Sequence, residues 1–376
     1  MRTLSKGATY IPALGLQYED AWIKNLNQRG FDFTWFSDQA FFKYPYMLTN
    51  AYYGIERGYQ DYRKRFKYPD DHILVGDSGG FQIAQYSKKG KDIKINPVDI
   101  LRWLESNSDI GMNLDIPPVI SYKDSLKRSV KNFKIFKNNR QNYNFKLYNI
   151  LHGNNLQEIE RWYKVVHRYP FDGWAIGIKP STNTFLQLLC YLILIQKGES
   201  SVLDWCHVFG VSGLQNMLSL SIASEHFNSK ITFDSSSYNM GSRFRMYYIP
   251  WNVRYIIDFG RNATNHLDRL PCKCPVCQNS DPAIMYDQQD PRTPFLISIH
   301  NLYHFMEVNN IINVLAKDHE ALDCYADSLG ELGFVTMVRR FLKDFDDHNY
   351  QYVYEKYKQL FVMDKYAKAG VSLCRY

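Results

Sequence analysis

The chain alternates short apolar or β-branched runs with longer stretches in which apolar residues recur every three or four positions. Runs of the first kind are "HILVG" at 72, "IGMNL" at 110, "KLYNIL" at 146, "GWAIGI" at 173, "CHVFGV" at 206 and "KITF" at 230, and each reads as a strand buried on both faces. Between them, 97 to 107, 123 to 139, 155 to 167, 183 to 196 and 213 to 229 have helical spacing. Asn96 before Pro97 and Asn154 before "LQEIERW" are the expected N-terminal caps. This alternation predicts a parallel sheet covered by helices. A length of 376 residues accommodates one large α/β barrel with an appendage, or two ordinary domains.

Just past the strands stand Asp77, Asp115, His152, the Gly177 turn, Gly210 and Asp234. An aspartate or glycine after one strand is an ordinary turn or cap residue. Six in succession point to a shared face, because in a parallel α/β barrel the C-terminal strand ends converge where the chemistry is done.

Composition narrows the class. The chain is 45% hydrophobic and carries no low-complexity linker or internal repeat, which describes a folded protein rather than a string of flexible modules. The start "MRTLSKGATY" lacks an apolar signal core, and no apolar run approaches the ~20 residues a membrane helix needs. A soluble, cytoplasmic protein without membrane partners is expected. The net charge of +7 permits a polyanionic partner, and 29 tyrosines and 23 phenylalanines offer stacking surface.

"GDSGG" at 76 to 80 has the letters of a serine-protease nucleophile loop. That chemistry needs a histidine and an aspartate far upstream on a complete β-barrel. Only His72 precedes Ser78, and so close that the base has no origin. Asp77 is the better candidate for the reactive group, with Gly79 and Gly80 forming a tight turn.

Of seven cysteines, three crowd into "CKCPVCQ" as Cys272, Cys274 and Cys277, with His300 following in "HNLYHF". Three thiolates and one imidazole make a closed Cys3His tetrahedron, the pattern of structural Zn2+. His304, four residues on and on the same helical face, is an alternative fourth ligand. Cys190, Cys206, Cys324 and Cys374 read as isolated core or tail residues.

From about 73 to 304, "DSGGFQ", "NLDIPP", "ILHGN", "FDGWAIGI", "VFGVSG", "FDSSSY", "CKCPVC" and "HNLYHF" occur in the order found in the tRNA-guanine transglycosylases, and the chain resembles that superfamily. The resemblance implies a (β/α)8 TIM barrel at 1–270, an inserted Cys3His zinc subdomain at 271–310 and C-terminal helices at 311–376. It further implies a pentosyltransferase that exchanges guanine for a 7-deazaguanine through an aspartyl–sugar intermediate. On this carry-over Asp234 is the nucleophile and Asp77 the general acid/base. Asp115 reads the guanine edge, Phe81 and Phe209 sandwich the base, and Gln82, His152, Gly177 and Gly210 complete the base pocket. His152 stands where the tRNA enzymes have glutamine, and Ile178 and Lys179 depart from their Gly-Leu pair. Two carboxylates are what exchange with retention at a glycosidic carbon requires, one to trap the sugar and one to move protons on the base.

The polymer is read from two departures. The run "DSSSYNMGSRFRMYY" differs from the anticodon-gripping run of bacterial tRNA enzymes, and 311 to 376 is short for the RNA-binding domains of archaeal ones. The resemblance then favours the DNA-guanine transglycosylases of bacteria and phages, with a preQ0-type base inserted in DNA; tRNA is the alternative. Arg63 and Lys64 in "GYQDYRKRFKYPDD", with Arg243 and Arg245 past Asp234, are candidate backbone contacts. The Lys127, Lys131 and Lys134 face reads as an ordinary solvated helix side. A homodimer is compatible with the sequence. Two readings of other kinds, a catalytically dead partner subunit and a pure zinc nucleic-acid-binding module, are disfavoured by the retained Asp77 and Asp234.

Overall fold

The computed structural model describes residues 6–14, 33–90, 95–118, 121–178, 183–211, 213–248, 256–258, 272–287 and 289–361. Eight strands form one parallel sheet: β1 (Gly7–Pro12), β2 (Tyr46–Asn50), β3 (Ile73–Asp77), β4 (Ile110–Met112), β5 (Lys146–Leu151), β6 (Gly173–Ile176), β7 (Cys206–Val208) and β8 (Lys230–Ser235). Their order is β1-β8-β7-β6-β5-β4-β3-β2. Ala13 bridges to Leu48 in parallel, and Leu14 N–H donates to Leu48 O at 3.0 Å, so the two edge strands meet and the sheet is a nearly closed barrel. The fold is the expected (β/α)8 type. Six of the strands were legible; β1 and β2 were not among them.

Strand alternation decides which residues reach the barrel axis. Ile11, Leu48, Ile73, Val75, Ile110, Met112, Tyr148, Ile150 and Ala175 pack together as the inner core, whereas Leu74, Leu147, Ile176, Cys206, Val208, Ile231 and Phe233 join the outer layer under the helices. Counting in twos from the inner residues toward the C-terminal ends leads from Leu48 to Asn50, from Val75 to Asp77, from Ile150 to His152 and from Ala175 to Gly177. On β8, Thr232 and Asp234 alternate with the outward Ile231 and Phe233 in the same way. The same two-residue period that fills the barrel with apolar side chains therefore aims its polar ones into the mouth.

The helices follow the pattern. Pro97–Asn107 begins and ends where expected, with Asn96 Oδ1 accepting from Val98 N–H. For Leu156–Val166 the cap is Asn155 rather than Asn154, which instead donates to the Glu158 carboxylate. After β8 the chain forms Ser237–Arg243, the cysteine segment and the 23-residue helix Thr293–Leu315. This long helix seals β1: Ala8 N–H donates to Asn313 Oδ1, and Asn309 and Asn313 both donate to Ala8 O. The expected boundary at 310/311 falls inside it. The C-terminal helices His319–Ser328, Leu332–Asp347 and Tyr350–Lys356 pack on the barrel through contacts such as Phe185 with Phe341 and Gln215 with Glu331. Among the described residues, no helix is long and apolar enough to cross a membrane.

Candidate active site

Among the described residues, the C-terminal rim of the barrel carries the carboxylates of Asp77, Asp115 and Asp234. Asp77 ends β3 in register with Asn50 at the end of β2, whose amide donates to Asp77 Oδ2 at 2.6 Å and to Gln82 Oε1 at 3.1 Å. The turn beyond Asp77 is built by glycines for two reasons. Gly79 sits at φ +88°, which side chains avoid, and a Cβ on Gly80 would lie 1.8 Å from Asp115 O. Gly80 therefore lets the β3 turn close onto Asp115. Ser78 is fully buried with Oγ donating to Asn113 O at 3.2 Å, so it is no exposed nucleophile.

The Asp77 carboxyl is pushed up from 3.8 to about 7, chiefly by desolvation, then by the charge of Asp115 and, less strongly, of Asp234, against hydrogen bonds from Gly79 N–H and Asn50. The three aspartates are thus close enough for their charges to act on one another. Asp77 is thereby a carboxyl that both holds and releases a proton near neutrality.

Asp115 is buried and shares a 2.5 Å hydrogen bond with His152 Nε2. The imidazole is wedged edge-on against Trp162, with ring centroids 4.9 Å apart, and a Cβ on Gly177 would lie 2.3 Å from its Cε1. Asp234, 8% exposed, receives the Gly210 N–H on Oδ1 at 2.8 Å. Gly210 lies at φ +62°, a backbone conformation that favours glycine. Phe209 packs on the inner core beside His207, while Phe81 opens the helix after Gly80 and is 50% exposed. Asp77, Asp115, His152, Gly177, Phe209, Gly210 and Asp234 are thus gathered on one rim, with Phe81 and Gln82 on the adjoining helix.

Two rim residues were missed by sequence reasoning. Asn50 and His207 each carry a signal, a polar side chain ending or interrupting an apolar strand.

The basic residues fare differently. Arg63 donates to Pro69 O, His72 O and Asp109 Oδ2, groups that precede β3 and β4, so it clamps the N-terminal end of the barrel, away from the rim. Lys64, on the same short helix Tyr62–Phe66, is exposed. Arg245 donates to Asp287 O in the cysteine segment, and Arg243 is exposed at the end of the helix after Asp234. Lys127, Lys131 and Lys134 lie exposed along Tyr122–Asn139. Lys179 lies outside the described residues.

Cys272, Cys274, Cys277 and His300 are all buried, and their ligand atoms lie within 4.8 Å of one another. A tetrahedral metal with bonds of about 2.3 Å needs donors about 3.8 Å apart, so the set fits zinc. His300 Nδ1 faces Cys274 and Cys277 at 3.4 and 3.2 Å, and Nε2 donates to Tyr248 O at 2.8 Å. That outer bond leaves the Nδ1 lone pair for the metal, and burial keeps the ring below the ordinary histidine value, hence neutral. His304 reaches only Cys272, at 3.1 Å. The four buried donors could hold one metal ion.

Residues 42–318, more than half of the chain, match the family described as Queuine tRNA-ribosyltransferase. The chain belongs to this family. It is 26% identical over 261 residues to the tRNA-guanine(15) transglycosylase of Methanococcus aeolicus, covering 66% of this chain and 38% of that protein. It is 27% identical over 262 residues to the enzyme of the same name from Methanococcus vannielii, covering 65% and 37%. With that of Saccharolobus solfataricus it shares 25% identity over 279 residues, covering 69% and 51%. The chain therefore spans about half or less of the relatives it matches. These family members are named for tRNA, so the expected DNA branch gains no support from them.

Proposed function

We propose that this family member is a guanine transglycosylase that exchanges a guanine of tRNA for a free 7-deazaguanine base. The observation that carries the reading is Asp77, a carboxyl raised to about 7 and facing Asp115 and Asp234 across one barrel mouth. With Oδ1 of Asp234 held by Gly210 N–H, Oδ2 is the atom that bonds to C1′ as the C1′–N9 bond breaks. The bonding electrons pass to the guanine, which takes the proton from Asp77. The incoming base then gives its proton back to Asp77 and attacks C1′, and the Asp234 carboxylate leaves with its electron pair. The base is read by Asp115 and stacked between Phe81 and Phe209, as expected for a nucleotide turned out of its stack.

A tRNA substrate is supported by the names of the family and of the relatives. DNA is the second reading, favoured by the departure of the run after Asp234 from that of bacterial tRNA enzymes. Labelled guanine offered with unmodified tRNA and with DNA at identical salt separates the two. Label confined to tRNA is the expected result; label confined to DNA transfers the same mechanism to DNA. Label in neither polymer, from folded protein, overturns the exchange reading and revives a non-catalytic zinc-binding subunit.

A further inference from the structure

Within β7, His207 is fully buried and stands in register with Thr232 on β8, two residues before Asp234. Its Nδ1 lies 2.8 Å from Thr232 Oγ1, and its buried Nε2 lies 3.3 Å from Asp234 Oδ1 but, among the described residues, makes no hydrogen bond, to Asp234 or to any other group. Thr232 Oγ1 already accepts from Trp205 Nε1–H at 2.7 Å, so it has one proton to give. The candidate acceptors are His207 Nδ1 at 2.8 Å and Cys206 O at 3.5 Å. The shorter contact takes the proton. The opposite arrangement would also leave an imidazole lone pair 3.3 Å from the Asp234 carboxylate, two like charge densities in a buried site. The ring is therefore held with N–H on Nε2, an unpartnered donor 3.3 Å from Asp234 Oδ1.

We propose that His207, oriented by Thr232 and Trp205, is a positioning residue that stabilises Asp234 as it departs from the sugar. The inference rests on the proposed role of Asp234 as nucleophile. While Oδ2 is bonded to C1′, Oδ1 is an ester carbonyl and a weak acceptor. When the C1′–Oδ2 bond breaks, the electron pair returns to the carboxylate, and Oδ1 regains charge beside Gly210 N–H, which already bonds it, and His207 Nε2–H, an unpartnered donor 3.3 Å away that the growing charge draws into a bond. A donor that strengthens as charge develops lowers that barrier more than it affects binding of the free base.

The effect on the covalent intermediate separates this role from simple support of the fold. His207→Leu removes the donor and makes the carboxylate a better nucleophile and a poorer leaving group. With unmodified tRNA as probe, and a DNA oligonucleotide in parallel, kcat for guanine exchange should fall roughly ten- to hundredfold with little change in KM for guanine. The denaturant-resistant protein–nucleic-acid adduct should accumulate above the wild-type level. His207→Gln, which keeps an N–H near the Nε2 position, should restore much of the rate, and Thr232→Val should shift rate and adduct in the direction of His207→Leu by a smaller factor. Thermal melts and zinc content confirm folding, and the Gln and Val variants carry the test if the Leu variant does not fold. Adduct that falls together with rate shows mere structural support and overturns the inference, as does unchanged kcat in folded His207→Leu. Wild-type protein that exchanges no guanine in either polymer overturns the underlying function as well.

Discussion

Asp115 and His152, carried by the loops after β4 and β5, are joined by a buried 2.5 Å hydrogen bond. His152 Nδ1 is buried too, and makes no hydrogen bond among the described residues. With Nε2–H given to the carboxylate, Nδ1 presents a lone pair, and one oxygen of Asp115 remains for the base. On the proposed function, the pair would read donors such as a guanine N1–H and amino group.

His152→Leu should therefore leave Asp115 buried and unsupported and raise KM for free guanine by about tenfold or more, with kcat changed far less. Steady-state exchange at varied guanine concentration tests this. An unchanged KM removes the Asp115–His152 pair from base recognition.

Asp77 makes a prediction about stability. Its folded value of about 7 lies above the ordinary 3.8, so the folded state binds the proton more tightly than the unfolded chain. The resulting stabilisation is full below about pH 4 and is lost as pH rises through about 7. Asp77→Asn, always neutral, should gain on wild type as pH rises, by on the order of 1–2 kcal/mol between about pH 5.5 and 8 once residual solvent contact is allowed for. Paired unfolding curves at the two pH values test it. A difference that stays flat or shrinks with pH contradicts a neutral-range proton on Asp77.

Gly80 tests the packing beneath that proton. Gly80→Ala places a methyl group 1.8 Å from Asp115 O, a backbone atom that cannot step aside cheaply. Stability should fall by on the order of 2–3 kcal/mol, and exchange should fall with it. Gly333→Ala, with nothing within 4 Å, is the control and should change stability by less than about 1 kcal/mol. Equal melting temperatures for the two variants would refute the close approach.

Much of this arrangement was legible in the residues. The limits of β5 and of Pro97–Asn107 follow from composition and capping alone. β1 and β2 were not legible: β2 runs directly into the helix Ala51–Glu56, with Asn50 serving at once as strand end and cap. No turn residue separates the two periodicities. The histidine in "CHVFG" reads as an oddity until the register with Thr232 shows what it faces. Arg63 illustrates the converse, since a basic and aromatic cluster looks the same in sequence whether its guanidinium faces a phosphate or, as here, Asp109.

The metal centre should be structural. Purified protein should contain about one zinc per chain, and Cys274→Ser should lose it together with cooperative folding, because four donors this close are mutually unfavourable without the ion. Zinc-free protein with an unchanged melting curve argues against the site.

The proposed bond between Asp234 and the sugar is open to direct observation. Wild-type protein incubated with end-labelled tRNA, or DNA where DNA proves to be the substrate, and run on a denaturing gel should give a protein-bound labelled band. Added free guanine should discharge it, and Asp234→Asn should give none. A band of equal strength from Asp234→Asn, or exchange by wild type at full rate with Asp234→Asn equally active, would contradict the covalent mechanism.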